Sequence, residues 1–561
     1  MKRSFVVFVC LIMSNLLFAV PPAPGVSSQG MPKDSVKKIL TVKEMKALGY
    51  SSEQINKVIN LNDAKGVKKL AVVFVEFTDV RFAENTSATV GSIQTYVSNV
   101  NIAPGTKIST ETGLLSNMIK YISECSYNNM TLEVYPFTNS GIGYPLSNTA
   151  STYGASQEAN VVNGQLFRDA VAAVNTSGAT VTNTIYDALM VVHAGIGEES
   201  GGVSNDIWSV FVGWASGGSA GGFFEGETVP AMEKSDLSPF GVLCHEFGHQ
   251  LGLPDLYNTN SGTSNVGKWD LMDYGAWVGS PQGSQPPHMS SWCKTLLKWL
   301  TPVSHTNSST ITLNSFKDLT ANCVKVPVLG STTEYFLFEY RQQAGFDIAL
   351  PGQGVLVWHI DDTKATSTQL SSNIINNGSP LAVALIEKDK GGNAGSSKGE
   401  STDPFNAAAD MLASPQSDSY SNGPSYITLY EFSGAGTGFM TAKLFSIPAT
   451  TSLVAKKAIN YPNPVKNVLS TTIRVNFSRP FTTATLRIYT IAGEFLFEKA
   501  LAQTDLNPTV SDAAAEWVYE YKWDLKNSDG ANVASGIYLY NIVAEVNSQR
   551  ESKTGKLAII R

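Results

Sequence analysis

Residues 245–275 read HEFGHQLGLPDLYNTNSGTSNVGKWDLMDYG, and the first five letters of this stretch direct the interpretation of the whole chain. Ser238 is a good helix N-cap and Pro239 suits the first helical position, so we predict a helix from there to about Leu251. His245 and His249 are four residues apart, which places both imidazoles on one face of that helix. The pattern therefore predicts two side chains that can bind one ligand.

The ligand that this spacing suits is a zinc ion, because two neutral His nitrogens on one helix face can bind the same metal. Glu246 lies beside the first His, where its carboxylate could take a proton from a metal-activated water. The chain holds only six His, so a chance HExxH has odds on the order of a few in a thousand. Gly252 would end the helix, and Asp255 then offers a third ligand, leaving a fourth position open. Asp also commonly caps turns, which is the alternative role of Asp255.

A second motif, WDLMDYG, follows downstream at residues 269–275. A Met in a tight turn beneath the zinc is typical of metzincins, and Met272 is the candidate for it. Tyr274 stands two residues later and could hydrogen-bond the oxyanion of the reaction. The alternative is an aromatic that packs beside Gly275.

The run from His245 to Gly275 resembles the immune-inhibitor-A family of bacterial metallopeptidases, which pairs HExxHxxGxxD with a downstream Leu-Met-Asp turn. The resemblance covers roughly residues 70–445, with similar stretches at 70–80, 193–195, 207–209, 287–300 and 339–362. The resemblance implies that the zinc ligands are His245, His249 and Asp255. In the same way, Glu246 would be the general base and Met272 the structural Met-turn residue. The resemblance also implies a metzincin-like α+β catalytic domain.

Bulk composition limits the class of protein. The chain has 561 residues, of which 43% are hydrophobic and 16% charged, enough for large buried cores. At roughly 150 residues per domain, that length suggests three or four domains. The net charge is −7 and no basic stripe is present, so nucleic acid is not expected as a partner.

The N-terminus reads as a signal peptide over residues 1–19. Lys2 and Arg3 precede an apolar run from Ser4 to Leu17, and Ala19 is a small residue at a plausible cleavage point. A membrane anchor is the alternative, but the run is shorter than the roughly 20 residues that a span needs. We therefore expect export to the extracellular space or the cell surface, with no membrane span after cleavage. Residues 20–69 look like a leader or pro-segment.

Two further features of an exported protein, its disulfides and its calcium sites, are left open by the sequence. The cysteines that remain, at positions 125, 244, 293 and 323, could form disulfides or be buried free thiols. Calcium is a second candidate cofactor, because loops hold several acidic residues. No calcium site is assigned, since solvated acidic loops are the alternative for the candidates Asp361, Asp362, Asp389, Glu400 and Asp403.

The local patterns of apolar and polar residues divide the chain into further regions. Mixed α/β signals at 70–305 give way to short alternating runs at 306–447, which predict an all-β region packed on or beside the catalytic domain. Residues 448–455 have linker composition. Residues 456–561 resemble the FlgD-like immunoglobulin-type β-sandwich and the C-terminal sorting domains of type IX secretion cargo, with Asp529-Gly530 as a tight turn. A sorting signal for secretion machinery, a cell-surface attachment and a stabilising module all fit.

The sequence thus predicts a secreted zinc-dependent endopeptidase that hydrolyses protein or peptide substrates with a metal-activated water. One alternative is a zinc amidase that acts on cell-wall peptide. Another is a non-catalytic surface adhesin that retained the fold. Glu246 argues against the adhesin, because a binding module has no need of a general base.

Overall fold

The computed structural model describes residues 17–26, 46, 51–52 and 64–561, apart from short gaps at 87–90, 109–111, 156, 215–217, 235–236, 316–321, 330, 390–398, 421–424, 447–453, 478–480, 482, 503–506, 512–513 and 547–548. Most of the predicted signal peptide, most of the predicted pro-segment and most of the predicted linker lie outside the described residues. Among the described residues, no helix is both long and apolar enough to cross a membrane.

A seven-stranded mixed sheet forms the base of the first region. Its strands are β1 (Leu17–Ala19), β2 (Gly66–Glu76), β3 (Met130–Phe137), β4 (Tyr144–Pro145), β5 (Ala188–Ile196), β6 (Val210–Gly213) and β7 (Glu225–Met232). The order is β1-β6-β7-β5-β2-β3, with β4 also beside β2. The central strands are parallel, and their continuous apolar runs are buried, as expected for a sheet covered on both faces. β6 runs antiparallel to β7, and β1 antiparallel to β6.

Within the part of the chain that the structure describes, seven α-helices have defined bounds. They are α1 (Ile93–Tyr96), α2 (Leu114–Cys125), α3 (Ala150–Gly154), α4 (Gln165–Thr176), α5 (Phe240–Gln250), α6 (Ser291–Leu296) and α7 (Ser367–Ser371). α2 has the apolar face that its helical spacing predicts, and Leu115, Met118 and Ile122 are buried there. Every residue of α5 is buried, so the predicted motif helix lies inside the domain.

Two further sheets form the region that follows. Their strands are β8 (Val303–Ser304), β9 (Ser309–Asn314), β10 (Cys323–Pro327), β11 (Glu334–Arg341), β12 (Gly354–Asp361), β13 (Val383–Ile386), β14 (Met411–Leu412), β15 (Thr428–Ser433) and β16 (Phe439–Phe445). The sheet orders are β13-β12-β11-β10-β8 and β14-β15-β16-β9. Alternate residues of β12 face two cores, because Trp358 joins the core of the first region and Val357 the core between the two β-sheets. This β region therefore packs directly against the first.

The last region contains two sheets around one core. The strands are β17 (Val454–Tyr461), β18 (Val465–Lys466), β19 (Thr471–Phe477), β20 (Thr483–Thr490), β21 (Phe495–Leu501), β22 (Asn507–Ser511), β23 (Ala514–Trp523), β24 (Gly536–Val546) and β25 (Gln549–Ile560). They pair as β17-β19-β23-β22 and β18-β25-β24-β20-β21. Ile473 of one sheet and Ile542 of the other belong to the same buried cluster. The region is a β-sandwich, and its immunoglobulin type stays a prediction.

The four cysteines beyond the predicted signal peptide, Cys125, Cys244, Cys293 and Cys323, are all free and buried. The sequence left disulfides and buried free thiols as alternatives, and the structure shows buried free thiols. Burial raises the pKa of each of them, which favours the uncharged thiol.

Candidate metal centre

The motif helix α5 brings three candidate ligand atoms together. His245 Nε2 and His249 Nε2 lie 3.1 Å apart, and Asp255 Oδ1 lies 3.1 Å from the first and 3.3 Å from the second. All three side chains are buried. Ligands held at about 2.0–2.1 Å by a tetrahedral ion are roughly 3.3 Å from one another, so the spacing fits one zinc-sized ion.

The other ring nitrogens show which atoms face this point. His245 Nδ1 lies 2.9 Å from the carbonyl oxygen of Leu271, and His249 Nδ1 lies 2.8 Å from that of Leu253. A carbonyl only accepts, so each Nδ1 carries the proton and each Nε2 presents a lone pair. Two lone pairs and a carboxylate oxygen facing one another repel unless a cation lies between them. The donor set therefore fits a bound metal.

Charge states suit the same role. Burial alone would raise the pKa of Asp255, but the facing imidazoles in their protonated form outweigh it and lower that pKa to about 2, so Asp255 loses its proton before they do. Burial lowers the pKa of His249, which keeps its imidazole neutral at neutral pH. An ionised carboxylate and a neutral imidazole are the forms that bind metal.

Asp255 reaches the centre because the chain turns sharply after α5. Gly252 has φ of +102°, a backbone conformation that suits glycine and ends the helix as predicted. Its N–H donates to the carbonyl of His249, and the N–H of Leu253 donates to that of Gly248. These bonds close the helix end and direct the next residues back towards its ligand face.

Asn373, from the β region, is a residue of the site that the sequence did not indicate. Its Nδ2 donates to Asp255 Oδ2, and its Oδ1 accepts from the backbone N–H of Asp255 at 2.7 Å. Both side chains are buried. One Asn thus holds the Asp255 carboxylate so that Oδ1 points at the two imidazoles. An Asn 118 positions away in an ordinary loop carries no recognisable signal.

Glu246 is buried beside the cluster and contacts a backbone amide. Its Oε1 accepts from the N–H of Val20 at 2.8 Å. Burial, and next the charge of Asp255, raise the pKa of Glu246 well above its usual range. The Glu246 carboxyl group therefore lies within hydrogen-bond distance of a peptide nitrogen.

The predicted Met-turn lies directly beneath α5. A Cβ on Gly248 would be 2.7 Å from Met272 Sδ, so the absence of a side chain at Gly248 admits the Met. Two carboxylates hold the turn: Asp270 accepts from the N–H of Met272 at 2.6 Å, and Asp273 accepts from a row of loop donors at residues 264–267. This turn also supplies the Leu271 carbonyl that orients His245.

Two buried tyrosines are candidates for the oxyanion hydrogen bond that the sequence suggested for Tyr274 alone. Tyr274 is almost fully buried after Met272, and burial raises its pKa to about 12. Tyr257, two residues after Asp255, is also buried, and its hydroxyl donates to the carbonyl oxygen of Ala19. The sequence reasoning considered only Tyr274.

Residues 17–26 lie along the site. β1 pairs with β6 in the register Phe18↔Phe211 and Ala19↔Val210. Beyond β1, the indole N–H of Trp208 donates to the Val20 carbonyl at 3.1 Å, and that of Trp277 donates to the Pro21 carbonyl at 2.9 Å. Residues 19–23 are buried.

The candidate calcium ligands divide into two groups. Carboxylate oxygens of Asp389, Glu400 and Asp403 lie within 4.8 Å of one another. Asp361 and Asp362 instead accept hydrogen bonds from Thr363 and Tyr335 respectively.

The known proteins that this chain resembles are metallopeptidases. Residues 174–301 match the family model of the immune inhibitor A peptidase M6 catalytic domain, which is the family that the resemblance predicted.

Part of the chain is also similar to known proteins. The pre-pro-metalloprotease PrtV of Vibrio cholerae serotype O1 is 37% identical over 131 residues, which cover 20% of this chain and 14% of PrtV. Immune inhibitor A of Bacillus thuringiensis subsp. alesti is 34% identical over 122 residues, covering 19% of this chain and 18% of that protein. The chain therefore spans less than a fifth of the length of either relative.

Among solved structures, dimeric latent PorU from Porphyromonas gingivalis is 16% identical, and the match covers 42% of this chain and 25% of that one. Its TM-score is 0.17, which supports no conclusion.

Proposed function

We propose that this protein is a secreted zinc-dependent endopeptidase of metzincin type that hydrolyses protein or peptide substrates. The observation that carries the proposal is the buried cluster of His245 Nε2, His249 Nε2 and Asp255 Oδ1, with the Glu246 carboxyl group on the residue next to the first ligand. Membership of the M6 family supports both the metal and the reaction class.

A zinc ion held by these three residues would polarise the scissile carbonyl and lower the pKa of a water molecule. Glu246 takes a proton from the attacking water and passes it to the amine that leaves. The contact between Glu246 and the Val20 N–H supports this role, because it shows that a peptide nitrogen fits within 2.8 Å of the carboxyl group. Met272 supports α5 from below and takes no part in the chemistry.

The test compares Glu246→Gln with the wild type on casein and on purified cell wall. We expect turnover of casein to fall at least roughly 100-fold while zinc binding is retained, because Gln keeps the shape but cannot accept a proton. Glu498→Gln, an exposed acid in the sandwich, is the control and should behave as wild type. A chelator should abolish activity, and added zinc should restore it.

The same assay separates the alternatives. Zinc-dependent turnover of cell wall alone would favour the amidase. Zinc binding without turnover of either substrate would favour the adhesin and overturn the proposal.

The wider organisation is proposed from the sequence. We infer export through a signal peptide at 1–19, a pro-segment at 20–69, a catalytic domain at 70–305, a β region at 306–447 and a linker at 448–455. We further infer that the sandwich at 456–561 engages secretion machinery or the cell surface. Calcium is kept as a second candidate ion, without an assigned site.

A further inference from the structure

Three consecutive carbonyl groups of the N-terminal segment are bound by three different side chains. Tyr257 donates to the carbonyl of Ala19, Trp208 to that of Val20 and Trp277 to that of Pro21. All three donors are buried. Such a row of donors binds a main chain without regard to its side chains, which is how an extended peptide is held.

The peptide group between Ala19 and Val20 is bound at both of its polar ends. Its carbonyl oxygen accepts from Tyr257, and its N–H donates to Glu246 at 2.8 Å. In a trans peptide these two atoms point in opposite directions, so the two side chains flank a single peptide bond. Glu246 follows the first metal-ligand candidate, and Tyr257 lies two residues after the third.

The main chain is held in different ways on the two sides of this peptide group. Residues before this peptide group pair with β6, which would otherwise be the edge of the central sheet. Residues after it lose the strand ladder and are held by the two indoles instead. The site therefore binds main chain by a sheet edge on one side of the peptide group and by side-chain donors on the other.

We propose that Tyr257, Trp208 and Trp277 bind three successive carbonyl groups of a peptide substrate, and that the position of the Ala19–Val20 peptide group is that of the scissile bond. Tyr257 then donates to the scissile carbonyl, whose oxygen gains negative charge in the reaction. The inference rests on the proposed peptidase function, whose site it extends on both sides of the reacting bond.

The two Trp donors are themselves positioned by the fold. The side-chain amide of Gln157 donates to the backbone carbonyl of Trp208 and accepts from its N–H, both at 2.9 Å. Trp277 ends the 3-10 turn Tyr274–Trp277, which follows the Met-turn. Gln157 thus fixes the backbone of Trp208, and the Met-turn leads directly into the turn that carries Trp277.

The direct test measures binding of a peptide in which a phosphinic group replaces the scissile amide, with the sequence of residues 17–23. The protein is produced without export, so that residues 1–19 are retained. Because its own segment would compete through the same donors, this uncleaved chain carries a Gly-Ser sequence of equal length at 17–23. The zinc-loaded protein is titrated with this phosphinic peptide by calorimetry. The variants are compared at equal metal content and after thermal unfolding has shown that they are folded.

In this background we expect Tyr257→Phe to weaken binding roughly 10- to 100-fold, because the lost bond is to a charged oxygen. Trp208→Phe and Trp277→Phe should each weaken it by about 3- to 10-fold, as for a neutral hydrogen bond.

The matched controls are Tyr121→Phe and Trp299→Phe. Tyr121 donates to the carbonyl of Pro287 and Trp299 to that of Ala64, so each loses a similar buried bond away from the site. Both should bind the phosphinic peptide within about twofold of the background.

A second measurement uses the uncleaved chain, produced without export, with its own residues 17–26 retained. Tyr257→Phe should speed hydrogen exchange of the amides at 17–26, and saturating phosphinic peptide should do the same in the wild type, because segment and peptide occupy one site. This measurement remains available if the Gly-Ser replacement does not fold.

Control-like affinity in Tyr257→Phe, or exchange at 17–26 that the bound peptide leaves unchanged, would overturn the inference. Control-like affinity in both Trp variants would also do so. The proposed function fails separately: a wild type that cleaves no peptide while the affinity pattern holds would refute the reaction and leave the binding site. Cleavage with control-like affinity in Tyr257→Phe would refute only the binding site.

Discussion

Asn373 holds Asp255 by two hydrogen bonds across 118 positions of sequence. It donates to the carboxylate oxygen that faces away from the imidazoles and accepts from the Asp255 backbone N–H. The β region thus completes the candidate metal centre of the first region. Partners that orient ligands in this way commonly change metal affinity by about 10- to 100-fold when removed.

Asn373→Ala should therefore weaken zinc binding by about 10- to 100-fold, measured by competition with a chromogenic chelator. Asn377→Ala is the control, because Asn377 binds Thr259 in the same interface without contacting a ligand. Equal zinc affinity of Asn373→Ala and Asn377→Ala would contradict a supporting role for Asn373.

Tyr274→Phe tests the role that the sequence suggested for this residue. If its hydroxyl stabilises the oxyanion, kcat on a peptide substrate should fall roughly 100-fold with little change in KM. Wild-type peptidase activity would eliminate that role and leave Tyr274 as a packed aromatic. Thermal unfolding of the variant provides the control for its structural integrity.

Asp347→Asn should destabilise the fold by roughly 3–5 kcal/mol, because the buried Arg341 loses the nearer of its two carboxylate partners and keeps only Glu339 at 3.6 Å. Arg341 donates to both oxygens of Asp347, and also to the backbone carbonyls of Trp269 and His288. The ion pair therefore joins β11 to the loops on either side of the Met-turn. Urea unfolding at neutral pH measures the loss, and the exposed pair variant Glu498→Gln should cost under about 1 kcal/mol.

The same pair predicts the pH dependence of stability at low pH. Burial raises the pKa of Asp347, but Arg341 outweighs it and lowers that pKa to about 2, below the unfolded value of about 3.9. The stabilisation is therefore fully present above pH 4 and lost as the pH falls towards 2. In Asp347→Asn this contribution to acid sensitivity should be absent, and an unchanged acid profile would count against it.

The buried carboxyl groups of Glu199 and Glu233 predict that the stability of the fold decreases as the pH rises. A Cβ on Gly197 would lie 2.5 Å from Glu199 Oε1 and 2.9 Å from Glu233 Oε2, so the two buried carboxyl groups crowd one point. Burial raises the pKa of both, and the charge of Glu199 raises that of Glu233 further. A raised pKa means that stability present below about pH 4 is lost as the pH rises through the folded value.

Glu233→Gln should accordingly lose less stability than the wild type between pH 5 and pH 8. Each pH unit over which one extra proton is released costs about 1.4 kcal/mol. Urea unfolding at both pH values measures the difference, with Glu498→Gln as a variant that should keep the wild-type pH dependence. A variant as pH-sensitive as the wild type would rule out the carboxyl pair as the cause.

Local rules account for several of the observed elements. The apolar runs at residues 188–196 and 354–361 form buried strands. The helix α5 begins and ends within a residue or two of its predicted limits. The spacing of His245 and His249 is a property of one helix, and the Gly252 turn follows it directly. The M6 family follows from that same stretch of sequence.

Such local rules could not predict the contacts between distant segments of the chain. The sequence pointed to Tyr274 through its distance from Met272, whereas only the fold shows that Tyr257 reaches the carbonyl of Ala19. Likewise, nothing in residues 17–23 indicated that they would lie on β6 and against Glu246. These contacts depend on how separate strands and loops pack, and no period in the sequence encodes them.

The sequence by itself determined the metal-ligand candidates, the helix that bears two of them and the family, because helix geometry and turn chemistry act within about a dozen residues. Only the tertiary structure decided which side chain holds the third ligand candidate, which side chains bind the carbonyl groups of residues 19–21, and that the four cysteines are buried free thiols. Those outcomes rest on side chains brought together from across the chain, where packing and burial, and not local periodicity, set the contacts.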